Sequence, residues 1–396
     1  MSGAQADRAL LQAAAADDVS AARRALAAGA NLETRNGRQQ TPLIIATKQH
    51  HAEVAATLLD AGADPNAKDE LSDSAFLYAG AEGYNDILRL TLRHGADVDS
   101  VNRFGGTALI PASEHGHGGT VRILIDAGVP IDHANSLGWT ALLEAIVLGD
   151  GSARHVDVVR QLIGAGADLG IRDAEGRTPR SLAVTRNQSA IVQLIDDAEQ
   201  IRERGQRLIA ASGRGDAEAV TRLLAADASV SARDDTRRTA LVAAAYGNHL
   251  AVAKQLLAAG ADPNVKDETV QSAYLISTSE VGDDPRLLRL LLDHGADVAS
   301  LDSWLGTGLI RAADRGYASI VEVLLDTKID IDHVNRIGYT ALHEAVVLGD
   351  GGPSHQRTVA ALVRGGVDTS IKDSQGRTAL QSARERGYDR IAALLD

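Results

Sequence analysis

Apolar residues along this chain fall in short bursts at helical spacing, and turn-forming residues separate one burst from the next. One burst opens at Thr41-Pro42-Leu43, where Thr41 is placed to cap a helix and Pro42 takes the first helical position, at which a missing N–H costs nothing. Leu43, Ile45 and Ala46 then point inward. A second type of burst, such as Val121-Arg122-Ile123-Leu124-Ile125, is again apolar at helical spacing. Gly128 and Gly166 follow such second helices and supply the left-handed residue that stops them. The Asp/Asn-rich segments beyond make turns that lead to the next Thr. The pattern therefore predicts pairs of short helices joined by turns.

The pair recurs. Thr-Pro-Leu or Thr-Ala-Leu phrases stand at Thr41, Thr107, Thr140, Thr239, Thr340 and Thr378, and Thr107 and Thr140 lie 33 positions apart. Gly-Ala-Asp phrases return at Gly62, Gly95, Gly166, Gly260 and Gly295. One pair cannot hide its apolar faces alone, so pairs must stack. A longer period overlies the short one. Asp64-Pro65-Asn66 returns 198 positions later at Asp262-Pro263-Asn264, and Val147-Leu148-Gly149-Asp150-Gly151 returns 200 later at Val347. The two extra residues fall near Val281 to Pro285. At residues 196–207 a charged, helix-favouring stretch replaces the Gly-Ala-Asp turn. Units near Asp7 and Gly205 read as amino-terminal caps, and those near Gly176 and Gly376 as carboxy-terminal caps. The expected organisation is a duplicated module of six repeats, 1–199 and 200–396.

The sequence resembles the ankyrin-repeat family on these phrases, for example Asn135-Ser136-Leu137-Gly138-Trp139-Thr140-Ala141-Leu142, over about Ala6 to Asp396. It departs from the family pattern in keeping the His after Thr-Ala-Leu only at His343, and a clean Gly-His step only at Gly116-His117. The resemblance implies an all-α repeat solenoid of about twelve repeats including caps, each a helix-turn-helix with a β-hairpin or turn. It also implies a concave groove lined by hairpin tips and inner helices. Phe104 and Trp304, then Trp139 and Tyr339, fall at the tips. The groove column of the inner helices reads Ile45, Tyr78, Pro111, Glu144 in the first module and Ala243, Ile276, Arg311, Glu344 in the second.

The binding candidates are thus Tyr78, Phe104, Trp139, Glu144, Trp304, Arg311, Tyr339, His343 and Glu344. Four aromatics at tips matter in a chain that is 3% aromatic, because aromatics concentrate at interface hot spots. Against this stands the alternative that each ring covers the adjacent hairpin. Glu144 and Glu344, each five residues past an aromatic, suit a basic or amine-bearing ligand, or else sit on a solvated helix face. The loop Asp150-Gly151-Ser152-Ala153-Arg154, matched by Asp350 to Ser354, lengthens the turn between helices, as a functional loop or a tolerated extension.

Composition narrows the chemistry. A net charge of −13 opposes phosphate backbones, so no nucleic-acid partner is expected. The absence of Cys removes disulfides, thiolate metal sites and cysteine nucleophiles. No His pair has the i, i+4 spacing that aims two ligands at one ion, and no metal or cofactor is expected. His51, His117, His155, His249 and His355 occupy the family's structural Gly-His position, where the resemblance implies that His caps the helix junction. Asp132-His133 with Glu144, and Asp332-His333 with Glu344, compose the one conceivable acid–base cluster. No phosphate loop, nucleophile elbow or dinucleotide fingerprint appears; Gly164-x-Gly166-x-x-x-Gly170 has the wrong spacing. No apolar run is long enough to span a bilayer, and residues 1–17 lack a leader pattern, so the expected location is cytoplasmic, or periplasmic had a leader been removed. Arg-rich, Lys-poor, Ala-rich usage points to a GC-rich bacterial genome. The expected function is non-enzymatic binding of a protein or peptide. The alternative is an unusual enzyme or small-molecule binder using the Trp139/Glu144 and Tyr339/Glu344 environments.

Overall fold

The computed structural model describes residues 3–396. Among them the chain is helical, and its single β feature is an isolated antiparallel bridge between Lys372 and Thr378. The fold is an all-α repeat solenoid, in which the expected hairpins are polar turns, called fingers below. Two compact units divide at residues 199 and 200.

In residues 1–199 the inner helices are Gly3–Ala15, Pro42–Lys48, Ala75–Glu82, Leu109–Glu114, Ala141–Val147 and Pro179–Thr185, and each contacts the next inner helix. In residues 200–396 the corresponding helices Ala240–Tyr246, Ala273–Ser279, Gly308–Asp314, Ala341–Val347 and Ala379–Glu385 do the same. One 25-residue helix, Ser189–Gly213, takes the place of a finger at the boundary. Its first part buries Ile191 and Ile195 with the first unit's core, and its last part buries Leu208, Ile209 and Ala211 with the second's. The charged run at 196–207 favours this helix, because it contains no Gly-Ala-Asp stop.

Local chemistry builds each repeat. The hydroxyls of Thr41, Ser74, Thr140, Thr239, Thr307 and Thr340 accept from the amide three residues on, satisfying a donor that the helix leaves open. Gly128 (φ 84°) and Gly166 (φ 94°) adopt the left-handed conformation past their outer helices. In each finger one Asx carboxyl or amide oxygen accepts from the amides two and four residues later. Asn102, Asn135, Asp302 and Asn335 all do so. That bond pattern is why Asp and Asn recur there.

The two units solve one packing problem differently. Around the third inner helix the first unit stacks Phe76, Gly80 and Ala108, and a Cβ on Gly80 would stand 2.7 Å from that of Ala108. The second unit places Tyr274, Thr278 and Gly308 at the equivalent positions, and a Cβ on Gly308 would stand 2.5 Å from the Tyr274 hydroxyl and 2.9 Å from Thr278 Cγ2. The small residue has moved across the interface. A second local difference follows from Pro111. Arg311 donates its amide to Thr307 at 3.1 Å, a bond that Pro111 cannot make to Thr107. Helix Leu109–Glu114 accordingly starts one residue later than Gly308–Asp314, and Thr107 does not cap it.

Candidate functional site

Large exposed apolar side chains mark one face of each unit. Thirteen are exposed among the described residues. Seven of them, Leu71, Phe104, Leu137, Trp304, Leu305, Val334 and Ile337, stand in fingers. Four more, Leu148, Val184, Tyr246 and Leu348, lie in inner helices or directly after them. Ile201 in the boundary helix and Leu394 in the last outer helix complete the set, so the outer helices are nearly bare of such residues. Large apolar side chains left exposed on these elements are candidates for an interaction surface.

One concavity in residues 200–396 gathers several of the candidate residues. It has a volume of about 460 Å³ and is lined by Trp304, Gly306 and Ile337 from two fingers, with Ile310, Arg311, Asp314 and Glu344 from two inner helices. Ser279, Glu280, Asp302, Arg315, Asn335 and Leu348 complete it. Trp304 is 61% exposed, yet its backbone is fixed: its amide donates to Asp302 at 2.8 Å and its carbonyl accepts from Arg336 at 2.9 Å. Arg311 directs its two terminal nitrogens inside the protein, onto Asp302 (2.8 Å), Gln271 (2.9 Å), Ser279 (2.6 Å) and Glu280 (3.3 Å), and leaves its buried Nε without a partner. It forms a wall of the pocket more than a free cation.

Glu344 is 5% exposed, and its Oε1 accepts from Asn335 Nδ2 at 2.6 Å. No donor among the described residues reaches Oε2. Burial, against that opposing hydrogen bond and assisted by Asp314 and Asp302, pushes the carboxyl up to about 7. Glu144 repeats the arrangement with Asn135 at 2.7 Å, and burial and Glu114 likewise push it up to about 7. Neither glutamate sits on a solvated helix face, which corrects one reading of the sequence. In the first unit a concavity of about 180 Å³ shares Phe104 and Pro111, the counterparts of Trp304 and Arg311, but extends to Tyr78 in the preceding repeat and does not reach Glu144. Tyr78 there carries Lys48 Nζ 5.0 Å from its ring centre, and the Phe104 ring is covered by the Arg103 guanidinium at 4.6 Å.

The structure brings Trp304, Arg311 and Glu344 together, and Tyr78 with Phe104. It sets other candidates apart. Trp139 and Tyr339 are half-buried: Trp139 lies against the core, and Tyr339 stacks on His343 with ring centres 5.9 Å apart. Only two of the four tip aromatics are therefore exposed. His343 is corrected outright as a groove contact. It is 1% exposed, bonded to Thr340 Oγ1 at 2.9 Å and to the Arg377 carbonyl at 3.3 Å, and burial lowers its basicity.

Several other histidines tie one repeat to the next. His51, His155, His249 and His355 donate to the carbonyls of Ala14, Glu114, Gly213 and Asp314, each near the end of the preceding inner helix. Each serves the C-terminus of the neighbouring inner helix, and His155 and His355 also hold Asp150 and Asp350 within their own helix junctions. His133 and His333 donate to the Gly105 and Leu305 carbonyls at 2.7 and 2.8 Å. Their rings are thus engaged by finger backbone and are not paired with Glu144 or Glu344. Asp150 accepts from Ser152 and from His155 (2.6 Å), which hold it well below the usual carboxylate range. With its counterpart Asp350, it anchors the start of a 12-residue outer helix, Ala153–Gly164 or Pro353–Arg364. The inserted loop thus lengthens a helix. Leu348 and Ile337 are pocket residues that sequence reasoning missed. Their signal was apolar character at exposed finger and helix-end positions.

Among the described residues no helix is long and apolar enough to cross a membrane, and no group of three or more His, Asp or Glu is placed to hold a metal ion.

A family model for ankyrin repeats, spanning three copies, matches residues 2–69, 76–173, 181–267 and 275–373. Over 186 residues the chain is 37% identical to a putative ankyrin repeat protein of Escherichia coli K12, YahD, covering 47% of this chain and 92% of that one. It is 30% identical over 224 residues to the ankyrin repeat domain-containing protein SAT10 of Stachybotrys chartarum, covering 56% of this chain and 10% of that protein. A solved ankyrin repeat domain from Acinetobacter baumannii AYE shares 48% identity over 48% of this chain and 97% of its own, with a TM-score of 0.47.

Proposed function

Because this chain belongs to the ankyrin-repeat family, whose repeats generally serve as protein-interaction modules, we propose that its finger and inner-helix face binds a protein or peptide partner. One observation carries this reading. Eleven of the thirteen exposed large apolar side chains gather on that face. A soluble repeat protein gains nothing in stability by leaving them wet, whereas an interface buries them. Fixed backbone beneath Trp304 lowers the entropy cost of presenting its ring.

We also propose that the chain is a duplicated six-repeat module. Phrases that return after 198 or 200 positions and the matching Glu144/Asn135 and Glu344/Asn335 pairs support it. That 47% of this chain matches 92% of the Escherichia coli relative agrees with it.

The test of binding is affinity capture from a lysate of the source organism on wild-type full chain and on Phe104→Ala/Trp304→Ala. A partner retained by the first and lost by the second, with unchanged melting, supports the groove. Equal retention of every captured protein by both would refute it.

A further inference from the structure

The pocket at Trp304 holds a carboxylate with an open hydrogen-bond acceptor position. Glu344 is 5% exposed, one oxygen is engaged by Asn335, and the other receives no donor from the described residues. A buried carboxylate in its ionised form is costly unless a cation or donor meets it. The pocket's charged groups do not supply one. The terminal nitrogens of Arg311 are committed to Asp302 and Glu280, its Nε is buried without a bond to Glu344, and Arg315 lies 3.8 Å from Asp314. Asp302, Glu280 and Asp314 more than balance those two arginines, so an ionised Glu344 leaves the site net negative.

We propose that this pocket receives the side chain of a lysine presented by a partner polypeptide, its ammonium closing on Glu344 Oε2 and its methylene stem lying along Trp304 and Ile337. The proposal rests on the groove reading above and names the chemistry recognised there. Ammonium fits better than guanidinium, because a single open oxygen cannot hold a bidentate fork. An exposed indole at the rim adds attraction for a cation, and the apolar lining suits a four-carbon stem. A volume of about 460 Å³ accommodates such a side chain with room for flanking groups. The source is a polypeptide and not a free amine, because the apolar rim of Trp304 (61% exposed), Leu348 (56%) and Ile337 (43%) extends past what a small amine covers. In the first unit the partly overlapping concavity at Phe104 is smaller and does not reach Glu144, so the second unit is the preferred seat.

The site is pH-sensitive in a defined sense. Asp302 and Asn335 face it from the fingers, Arg311, Asp314 and Arg315 from helix Gly308–Asp314 and its end, and Glu280 from the end of helix Ala273–Ser279. With burial pushing Glu344 up to about 7, its charge is largely present at pH 8 and largely lost at pH 6. Lysine binding therefore weakens as pH falls across that window.

The test uses the full chain and arrays of capped nonapeptides with mixed flanks and a fixed central lysine, acetyl-lysine, norleucine or arginine. The lysine array should bind on the order of tenfold better than the acetyl-lysine and norleucine arrays at pH 8. Glu344→Gln should erase that preference while Glu144→Gln, an identical change of net charge, keeps it. Equal binding of lysine and norleucine, still lost in Trp304→Ala, overturns the lysine assignment and leaves the groove standing. Competition by n-butylamine as strong as by the lysine peptide overturns the polypeptide source. No Trp304-dependent binding by any array overturns the proposal, and the capture experiment then decides separately whether the groove reading falls with it. The acetyl-lysine comparison on wild-type protein needs no variant, so a folding defect in Glu344→Gln does not protect the idea.

Discussion

Replacing Gly308 by Ala tests how the inner helices stack. A Cβ there would lie 2.5 Å from the Tyr274 hydroxyl, 2.9 Å from Thr278 Cγ2 and 3.0 Å from Tyr274 Cζ, all on side chains with no exposure. None of these atoms is the free end of a flexible chain, so the helices must part or Tyr274 must leave its rotamer. Overpacking of this kind costs about 1–3 kcal/mol. Removing a glycine from the first helical position returns less than about 1 kcal/mol, so the net sign is destabilising. For a unit of this size a loss of about 2 kcal/mol lowers the melting temperature by roughly 4–8 °C. The first unit shows the remedy, since Phe76 and Gly80 accommodate Ala108. Adding Tyr274→Phe and Thr278→Gly to Gly308→Ala should therefore recover at least about 1 kcal/mol relative to the sum of the separate effects. Each unit contains one tryptophan, Trp139 or Trp304, so a Trp139→Phe background makes indole emission report residues 200–396 alone. Denaturation of the four variants in that background gives the coupling. Strictly additive effects would refute the reciprocal packing.

The remaining expectations concern charge, rings and modularity. Glu344 has a raised folded pKa, so the folded state binds its proton more tightly than the unfolded chain. Its cost is absent below pH 4.5, grows through the window up to about 7, and reaches about 3 kcal/mol above it. Glu344→Gln should therefore stabilise the protein at pH 8 and hardly at pH 4; an effect independent of pH contradicts the burial argument. Trp139→Ala and Tyr339→Ala should melt earlier, because both rings are half-buried, whereas Phe104→Ala and Trp304→Ala should leave the melting curve within about 0.5 kcal/mol, as for exposed sites. Calorimetry decides between these outcomes. Fragments 1–199 and 200–396 should each show helical circular dichroism and a cooperative transition, since each contains its own core; an unfolded fragment refutes that independence.

Repeat identity was readable because its signals are local. Thr caps, left-handed glycines and Asx turns each follow from a few neighbouring residues, as Thr41, Gly128 and Asn135 show. The charged run at 196–207 likewise announced a continuous helix. Contacts across repeats were less legible. His343 shares its sequence neighbourhood with Glu344, but whether it faces the groove depends on Arg377, 34 residues away. The commitment of Arg311 depends on Gln271, Ser279 and Asp302, three different elements. Trp139 and Trp304 look equivalent as tip aromatics, yet only Trp304 stands clear of the core, because the finger residue two after Asp302 points away while the residue before Thr140 packs inward. Periodicity assigns a residue to a repeat; it does not decide what the next repeat places against it.

The claim on which the functional account stands is that partners meet the finger and inner-helix face. Photo-crosslinking measures this directly, with benzoylphenylalanine placed at Phe104, Trp304 or Ile337, and separately at the exposed outer-helix positions Arg122 or Glu322. The account predicts discrete crosslinked adducts from the first three positions and none from the last two. Adducts from Arg122 and Glu322 with silence at Phe104, Trp304 and Ile337 would contradict it.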